Sequence, residues 1–166
     1  MKTAIVYYSM CGNTAYVAEK LKDALGADAD IIEIIPVKSY PSKGFRKFLW
    51  GGKSAVMAEK PELQPYEFIA DNYKRVVIGF PVWAGRFAPP VRTFVEENKD
   101  ALKNKRISAY ACQSGSGAEK ALAGLKELIG ISDFNSTAIL IDPKDKPAED
   151  KDEQIKAFCA ELAEEE

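Results

Sequence analysis

An apolar stretch, Ala4 to Tyr8, runs straight into Ser9-Met10-Cys11-Gly12-Asn13-Thr14, and a helical pattern from Ala15 to Leu25 follows at once. A hydrophobic strand that ends in small hydroxyl and amide residues and then opens a helix is a phosphate cradle. The small residues let backbone N–H groups converge, and the positive end of the helix dipole favours a dianion. No Lys or Arg lies between Ser9 and Thr14. The loop would therefore hold phosphate with N–H and O–H donors alone, which suits a cofactor that is retained and not hydrolysed.

The rest of the chain repeats the strand–helix alternation. Lys2–Tyr8 reads as strand one, Asn13–Leu25 as a helix with Val17, Ala18, Leu21 and Leu25 inward, and Asp30–Pro36 as strand two. Arg75–Phe80 is an unbroken Val-Val-Ile-Gly-Phe strand, expected to be buried on both faces. Pro90–Leu102 is a helix with Val91, Phe94 and Val95 inward. Arg106–Cys112, Gly117–Ile129 and Ser136–Ile141 supply strand four, a helix and strand five, and Lys151–Ala163 closes as an amphipathic helix. The segment Val37–Asp71 breaks the alternation. Within it, Phe45, Phe48, Leu49 and Trp50 suggest a short amphipathic helix, a lid or a small core of its own, and Glu67–Asn72 reads as a second crossover helix.

Five buried strands with helical crossovers imply an α/β fold with a doubly wound parallel sheet. With 166 residues, one domain spanning 1–166 is the expectation. In such sheets ligands sit beyond the carboxyl ends of the strands. Three loops meet there: Ser9–Thr14, Pro81–Pro90, and Cys112–Gly117. All are built of small residues, and the middle one adds Trp83 and Phe87. That is a phosphate site beside a flat aromatic slot.

Composition removes several rivals. The chain has no histidine, which excludes Ser-His and Cys-His catalytic pairs and the commonest metal ligand. Cys11 begins a loop like that of low-molecular-weight phosphatases, but those need an Arg where Val17 stands. No Gly-Lys-Ser/Thr follows the first strand's glycine loop, so a P-loop is excluded. A phospho-receiver would need an acid where Phe80-Pro81 lies, and a dinucleotide fold needs more glycines than Gly12. Net charge is −2, without the basic surplus of a nucleic-acid binder. Three cysteines do not make a disulfide framework. No leader with a basic region and apolar core precedes the first strand, and no apolar run approaches a membrane span. A cytoplasmic protein with neither membrane nor nucleic-acid partner is the expectation.

At these residues the chain resembles a known family. Strand, Ser-x-x-Gly-Asn-Thr, helix is similar to the FMN-phosphate loop of flavodoxins and flavodoxin-like reductases. Gly79-x-Pro81-x-Trp83-x-Gly85, followed by Pro89-Pro90-Val91 and Phe94, resembles the second flavin loop of a bacterial branch. The resemblance implies a flavodoxin-like five-stranded sheet in the order 2-1-3-4-5 with helices on both faces, and FMN as cofactor. It implies that Ser9, Met10, Cys11, Gly12, Asn13 and Thr14 wrap the phosphate. Pro81, Val82, Trp83, Ala84, Gly85 and Phe87 would line the ring edge, and Cys112, Gln113, Ser114, Gly115 and Gly117 its pyrimidine side. Cys11 stands where the family usually has Thr, which replaces a hydroxyl donor with a thiol.

The flavin is then the reaction centre, and no side chain acts as acid, base or nucleophile. Gly85 is the position best able to flip a peptide toward the reduced ring and favour one-electron steps. The implied function is electron transfer to redox partner proteins or small acceptors. The alternative is a small FMN-dependent NAD(P)H:quinone-type reductase, toward which the mild net charge leans, since a shuttle is usually steered by a strong field.

Overall fold

The computed structural model describes residues 2–41 and 52–164. The aromatic group Phe45, Phe48, Leu49 and Trp50 lies outside the described residues.

Five strands form one parallel sheet: β1 (Thr3–Tyr7), β2 (Ala29–Glu33), β3 (Arg75–Trp83), β5 (Arg106–Gln113) and β6 (Thr137–Ile141), in the order β2-β1-β3-β5-β6. This is the expected 2-1-3-4-5 order, because strands four and five of the sequence reading are β5 and β6. A further strand intervenes. β4 (Arg86–Phe87) folds back antiparallel on the end of β3, pairing Val82 with Phe87 and Trp83 with Arg86.

The central strands carry apolar side chains toward both layers, so each face needs helices. On one side α1 (Asn13–Leu25) and α4 (Glu149–Glu164) bury Val17, Leu21, Phe158 and Leu162 against Ile5, Val77 and Tyr110. On the other, α2 (Pro89–Leu102) and α3 (Ala118–Ile129) bury Val91, Phe94, Leu122 and Leu125 against Val6, Ile78 and Ala109. Pro89 and Pro90 at the start of α2 suit the first turn, where the missing N–H groups have no helical partner. Tyr7 and Tyr8 point to opposite faces and are both buried.

The second crossover differs from expectation. Glu67–Asn72 is not a helix: only the single 3₁₀ turn Ala70–Asn72 forms, the residues before it have no regular structure, and Ile69 is extended. Two forces favour this form. The backbone of 62–64 is already committed to the residues after β2, with Val37 N–H donating to the Glu62 carbonyl and Gln64 N–H to that of Ile35. The aromatics are also claimed one by one. Phe68 stacks on Tyr73 and meets Phe94 edge-on, while the Tyr66 hydroxyl donates to Glu97. One and a half turns of helix would forfeit these contacts for few internal hydrogen bonds. Residues 52–56 are helical.

Candidate functional site

β1, β3 and β5 end at one edge of the sheet, and their loops enclose a hollow of about 450 Å³. One wall is Ser9, Met10, Cys11, Asn13 and Thr14. The opposite walls are Pro81–Ala84 and Cys112–Ser116, with Gly52 and Asp142 completing the lining.

The first wall is shaped by Gly12, whose φ of 93° lies in the left-handed region that a side chain disfavours. The Gly12 N–H donates to Ser9 Oγ at 3.1 Å, which closes the loop on itself. Beyond it α1 begins with no side-chain cap and no acidic residue in its first turn. The helix-start N–H groups therefore face the hollow without an internal acceptor, the arrangement that attracts an anion. Below the loop, the fully buried Tyr110 donates from its hydroxyl to the Thr14 carbonyl at 3.0 Å.

A fourth loop, which sequence reasoning missed, closes over this wall. Asn13 does not point freely into the hollow: its Oδ1 accepts from the N–H groups of Lys144 and Asp145, and its Nδ2 donates to Asp145 Oδ2 at 2.8 Å. The clamp places Lys144 over Gly12, so closely that a Cβ added there would lie 2.7 Å from Lys144 Nζ. A cation thus stands beside a loop that contains none. The loop's other end is set by Asp142, which accepts from Ser114 Oγ at 2.6 Å and from Lys146 Nζ at 2.7 Å. Burial pushes the Asp142 carboxyl up, but the Lys146 and Ser114 bonds outweigh it and hold it below the usual range. The available signal was that β6 ends at the same edge of the sheet as the other three loops.

The aromatic wall stands on a tight hairpin. β3 reverses through Ala84 and Gly85, with φ of 50° and 70°, before β4. Two consecutive positive φ values match the turn that fits the twist of a two-residue hairpin. Gly is at ease there, and Ala84 is strained. Trp83 lines the hollow, and its ring packs edge-on against Tyr8 and Tyr40 at centroid distances of 5.7 and 5.1 Å. Tyr40 belongs to the irregular segment, so that segment buttresses the indole from behind. Burial raises the Tyr40 hydroxyl to about 12 and the Tyr8 hydroxyl further, so both remain protonated.

The third wall is pinned too. Gln113 lines the hollow while its Oε1 accepts from Ala118 N–H at 2.9 Å, at the start of α3. Gly117 has φ of 104° and packs so close to the hairpin that a Cβ would lie 2.7 Å from Gly85 Cα. The Cys112 thiol is buried, and desolvation pushes it up to about 12. Cys11, Cys112 and Cys159 are all free thiols.

Of the expected site residues, the fold gathers Ser9, Met10, Cys11, Asn13, Thr14, Pro81, Val82, Trp83, Ala84, Cys112, Gln113, Ser114 and Gly115 around this hollow. Gly12 and Gly117 shape the backbone behind it. Gly85 and Phe87 face a second hollow on the far side of the hairpin. Among the described residues no group of three acidic, Cys or His side chains is placed to hold a metal ion, and no helix is long and apolar enough to cross a membrane.

A protein-family model described as Flavodoxin matches residues 2–147. A flavoprotein of Lactobacillus acidophilus, solved in complex with FMN, superposes with a TM-score of 0.72 at 21% identity, covering 95% of this chain and 97% of that one. A putative flavoprotein of Bacteroides eggerthii gives 0.73 at 25% identity, covering 98% of both. Oxidised flavodoxin 2 of Bacillus cereus gives 0.59 at 17% identity over the whole of both chains. No curated protein sequence matches the chain.

Proposed function

This chain belongs to the flavodoxin family, and from that premise we propose that it binds one FMN in the hollow between the Ser9–Thr14 and Trp83 walls and passes electrons through it. The observation that carries the reading is the pairing of two unlike halves in one cavity. One half offers uncapped helix N–H groups and the Lys144 cation. The other half offers Met10, Val82 and the Trp83 indole. A ligand with a dianionic tail and a flat, largely apolar ring fits this division, and about 450 Å³ is within the usual range for a small-molecule site.

When bound, FMN supplies the electron-transfer chemistry itself. The chain's part is to hold it, orient it and set its surroundings. Backbone donors at the start of α1 fix the phosphate at no desolvation cost to a buried side-chain charge. The Trp83 indole, held edge-on by Tyr8 and Tyr40, would shield the bound ring from water. The Ala84 backbone lines the hollow and would lie beside the bound ring. Asp142 keeps its negative charge at the hollow's border, which disfavours adding a further charge to the ring and so holds the potential down. No described side chain in the hollow is assigned a proton-transfer role.

Titration of the flavin-free protein with FMN tests the reading. Flavin fluorescence should be quenched with one-to-one stoichiometry and the thermal midpoint should rise. Neither change occurring would overturn it. A loaded protein that exchanges electrons with a reduced protein donor, but does not oxidise NAD(P)H directly, is an electron carrier. Direct NAD(P)H oxidation in the presence of a quinone would assign the reductase role instead.

A further inference from the structure

A second hollow, of about 610 Å³, lies on the other side of the Ala84–Gly85 hairpin, between α2 and α3. Four cations line it: Arg86 from β4, Arg92 and Lys99 from α2, and Lys120 from α3. Arg92 and Lys99 are seven residues apart and share a helix face, and Lys120 faces them from α3. Glu127 is the one carboxylate among the lining residues. Glu96 pairs with Arg92 at 3.6 Å and with Lys60 at 2.5 Å, so Arg92 is partly neutralised, and Arg86, Lys99 and Lys120 carry most of the surplus positive charge. On a chain of net charge −2 this is a strong local concentration of positive charge.

The floor is of a different kind. Phe87 lies beneath, with the Arg92 guanidinium carbon 5.2 Å from its ring centroid. A Cβ on Gly124 would lie 3.7 Å from the edge of that ring, and Gly124 has none. Ala121, Pro89 and Leu128 extend the apolar surface. Lys120 lays its stem against the hairpin, its Cδ 3.6 Å from where a Gly85 Cβ would be.

We propose that this hollow is a binding site for an organic phosphate, a small molecule that joins a phosphate dianion to a flat or apolar body. Cations in this number suit a doubly charged group, and the planar fork of Arg suits its oxygens. The apolar floor suits a body that an inorganic ion lacks. A concave site of this volume suits a small molecule, whereas a protein partner would present a broad face. The hairpin is the partition between the two hollows: Ala84 lines the first and Gly85 the second. A bound organic phosphate would thus sit one residue from the proposed flavin site. The binding itself needs nothing in the first hollow.

Adenosine 5′-monophosphate is the probe, with adenosine and inorganic phosphate as its two halves, titrated into the ¹⁵N-labelled full-length chain. The expected result is movement of the Gly124 and Gly85 amide signals with the nucleotide and much weaker effects with either half. The double variant Lys99→Gln/Lys120→Gln changes side chains that make no hydrogen bond or ion pair among the described residues and should weaken the nucleotide about tenfold or more at an unchanged thermal midpoint. Arg86→Gln should weaken it too and serves if the double variant is unstable. Shifts confined to Gly12 and Thr14 would overturn the proposal, because the probe would then occupy the first hollow. Equal binding by the variants would overturn it as well, as would inorganic phosphate binding as tightly as the nucleotide. None of these results bears on whether FMN quenches in the first hollow, so the two readings fail separately.

Discussion

The Tyr110 hydroxyl donates to the Thr14 carbonyl at 3.0 Å from full burial, tying the middle of β5 to the first turn of α1. The bond fixes the height of the Ser9–Thr14 loop above the sheet. Its loss in Tyr110→Phe should lower stability by about 1 kcal/mol and weaken FMN more than that loss alone explains, because the Thr14 turn loosens. Urea denaturation and FMN titration measure the two effects. An unchanged FMN affinity in a destabilised variant would confine the bond to a structural role.

The Tyr110 ring exists where it does because Gly79 has no side chain. A Cβ at Gly79 would lie 2.0 Å from Tyr110 Cζ, a distance that no flexing of a packed β-strand absorbs. Gly79→Ala should therefore cost about 3 kcal/mol, as for severe overpacking. The pairing is specific, so Gly79→Ala with Tyr110→Leu should be less destabilised than the two single changes added together. A simply additive double mutant in urea titrations would place the clash elsewhere.

Lys144 makes no ion pair or side-chain hydrogen bond among the described residues, and it stands over Gly12. Lys144→Met should weaken FMN about threefold to fivefold, the effect of up to about 1 kcal/mol from an exposed charge. Riboflavin, which lacks the phosphate, should bind the variant and the parent alike. The FMN affinity of the parent should also fall more steeply with salt than that of the variant. Equal losses for FMN and riboflavin would show that Lys144 packs and does not pair.

The strand order, the two helical layers and the three-loop site follow from patterns that lie within single segments. The Val-Val-Ile-Gly-Phe run could only be a central strand, and Ser9–Thr14 could only open a helix. What escaped was set by contacts distant in sequence. Lys144 reaches the Ser9–Thr14 loop only because Asn13 captures the backbone 131 residues away. Glu67–Asn72 has an ordinary helical composition, and it stays out of a helix because Phe68 and Tyr66 find partners on β3's flank and on α2. Phe87 reads as part of the aromatic slot because it follows Trp83 by four residues, but the hairpin reverses between them and turns it to the other side. In each case the local signal was correct about residue type, and a long-range partner chose the direction.

Asp142 gives the site a dependence on acid. Its carboxyl lies below the ordinary range despite burial, because Lys146 and Ser114 bond the ionised form. A carboxyl held lower in the folded state than in the unfolded chain stabilises the fold above its unfolded value, near pH 4, and that contribution disappears as pH falls through the folded value. The difference in stability between the parent and Asp142→Asn should therefore be constant near neutrality and shrink below about pH 4. Denaturation of both flavin-free proteins from pH 7 to pH 3 measures it. A gap that does not shrink at all between pH 5 and pH 3 would mean that the ion pair contributes nothing and that the Asn is simply misfitted.

The two cysteines at the site should behave as chemical opposites. Cys112 is buried, and desolvation, helped by the nearby Asp142 charge, pushes its thiol up to about 12 against the weaker opposing bond to Thr14. At pH 8.5 almost none of it is thiolate, and alkylation requires the thiolate. Cys11 is only half-buried and lines the first hollow. Iodoacetamide should label Cys11 in the native protein, leave Cys112 untouched until urea is added, and label Cys11 far more slowly once FMN is bound. Peptide mass spectrometry reads all three outcomes. Labelling of Cys112 at a rate comparable to Cys11 in the native protein would show that β5 opens at its end, and labelling of Cys11 that ignores FMN would place the phosphate away from the loop that α1 begins.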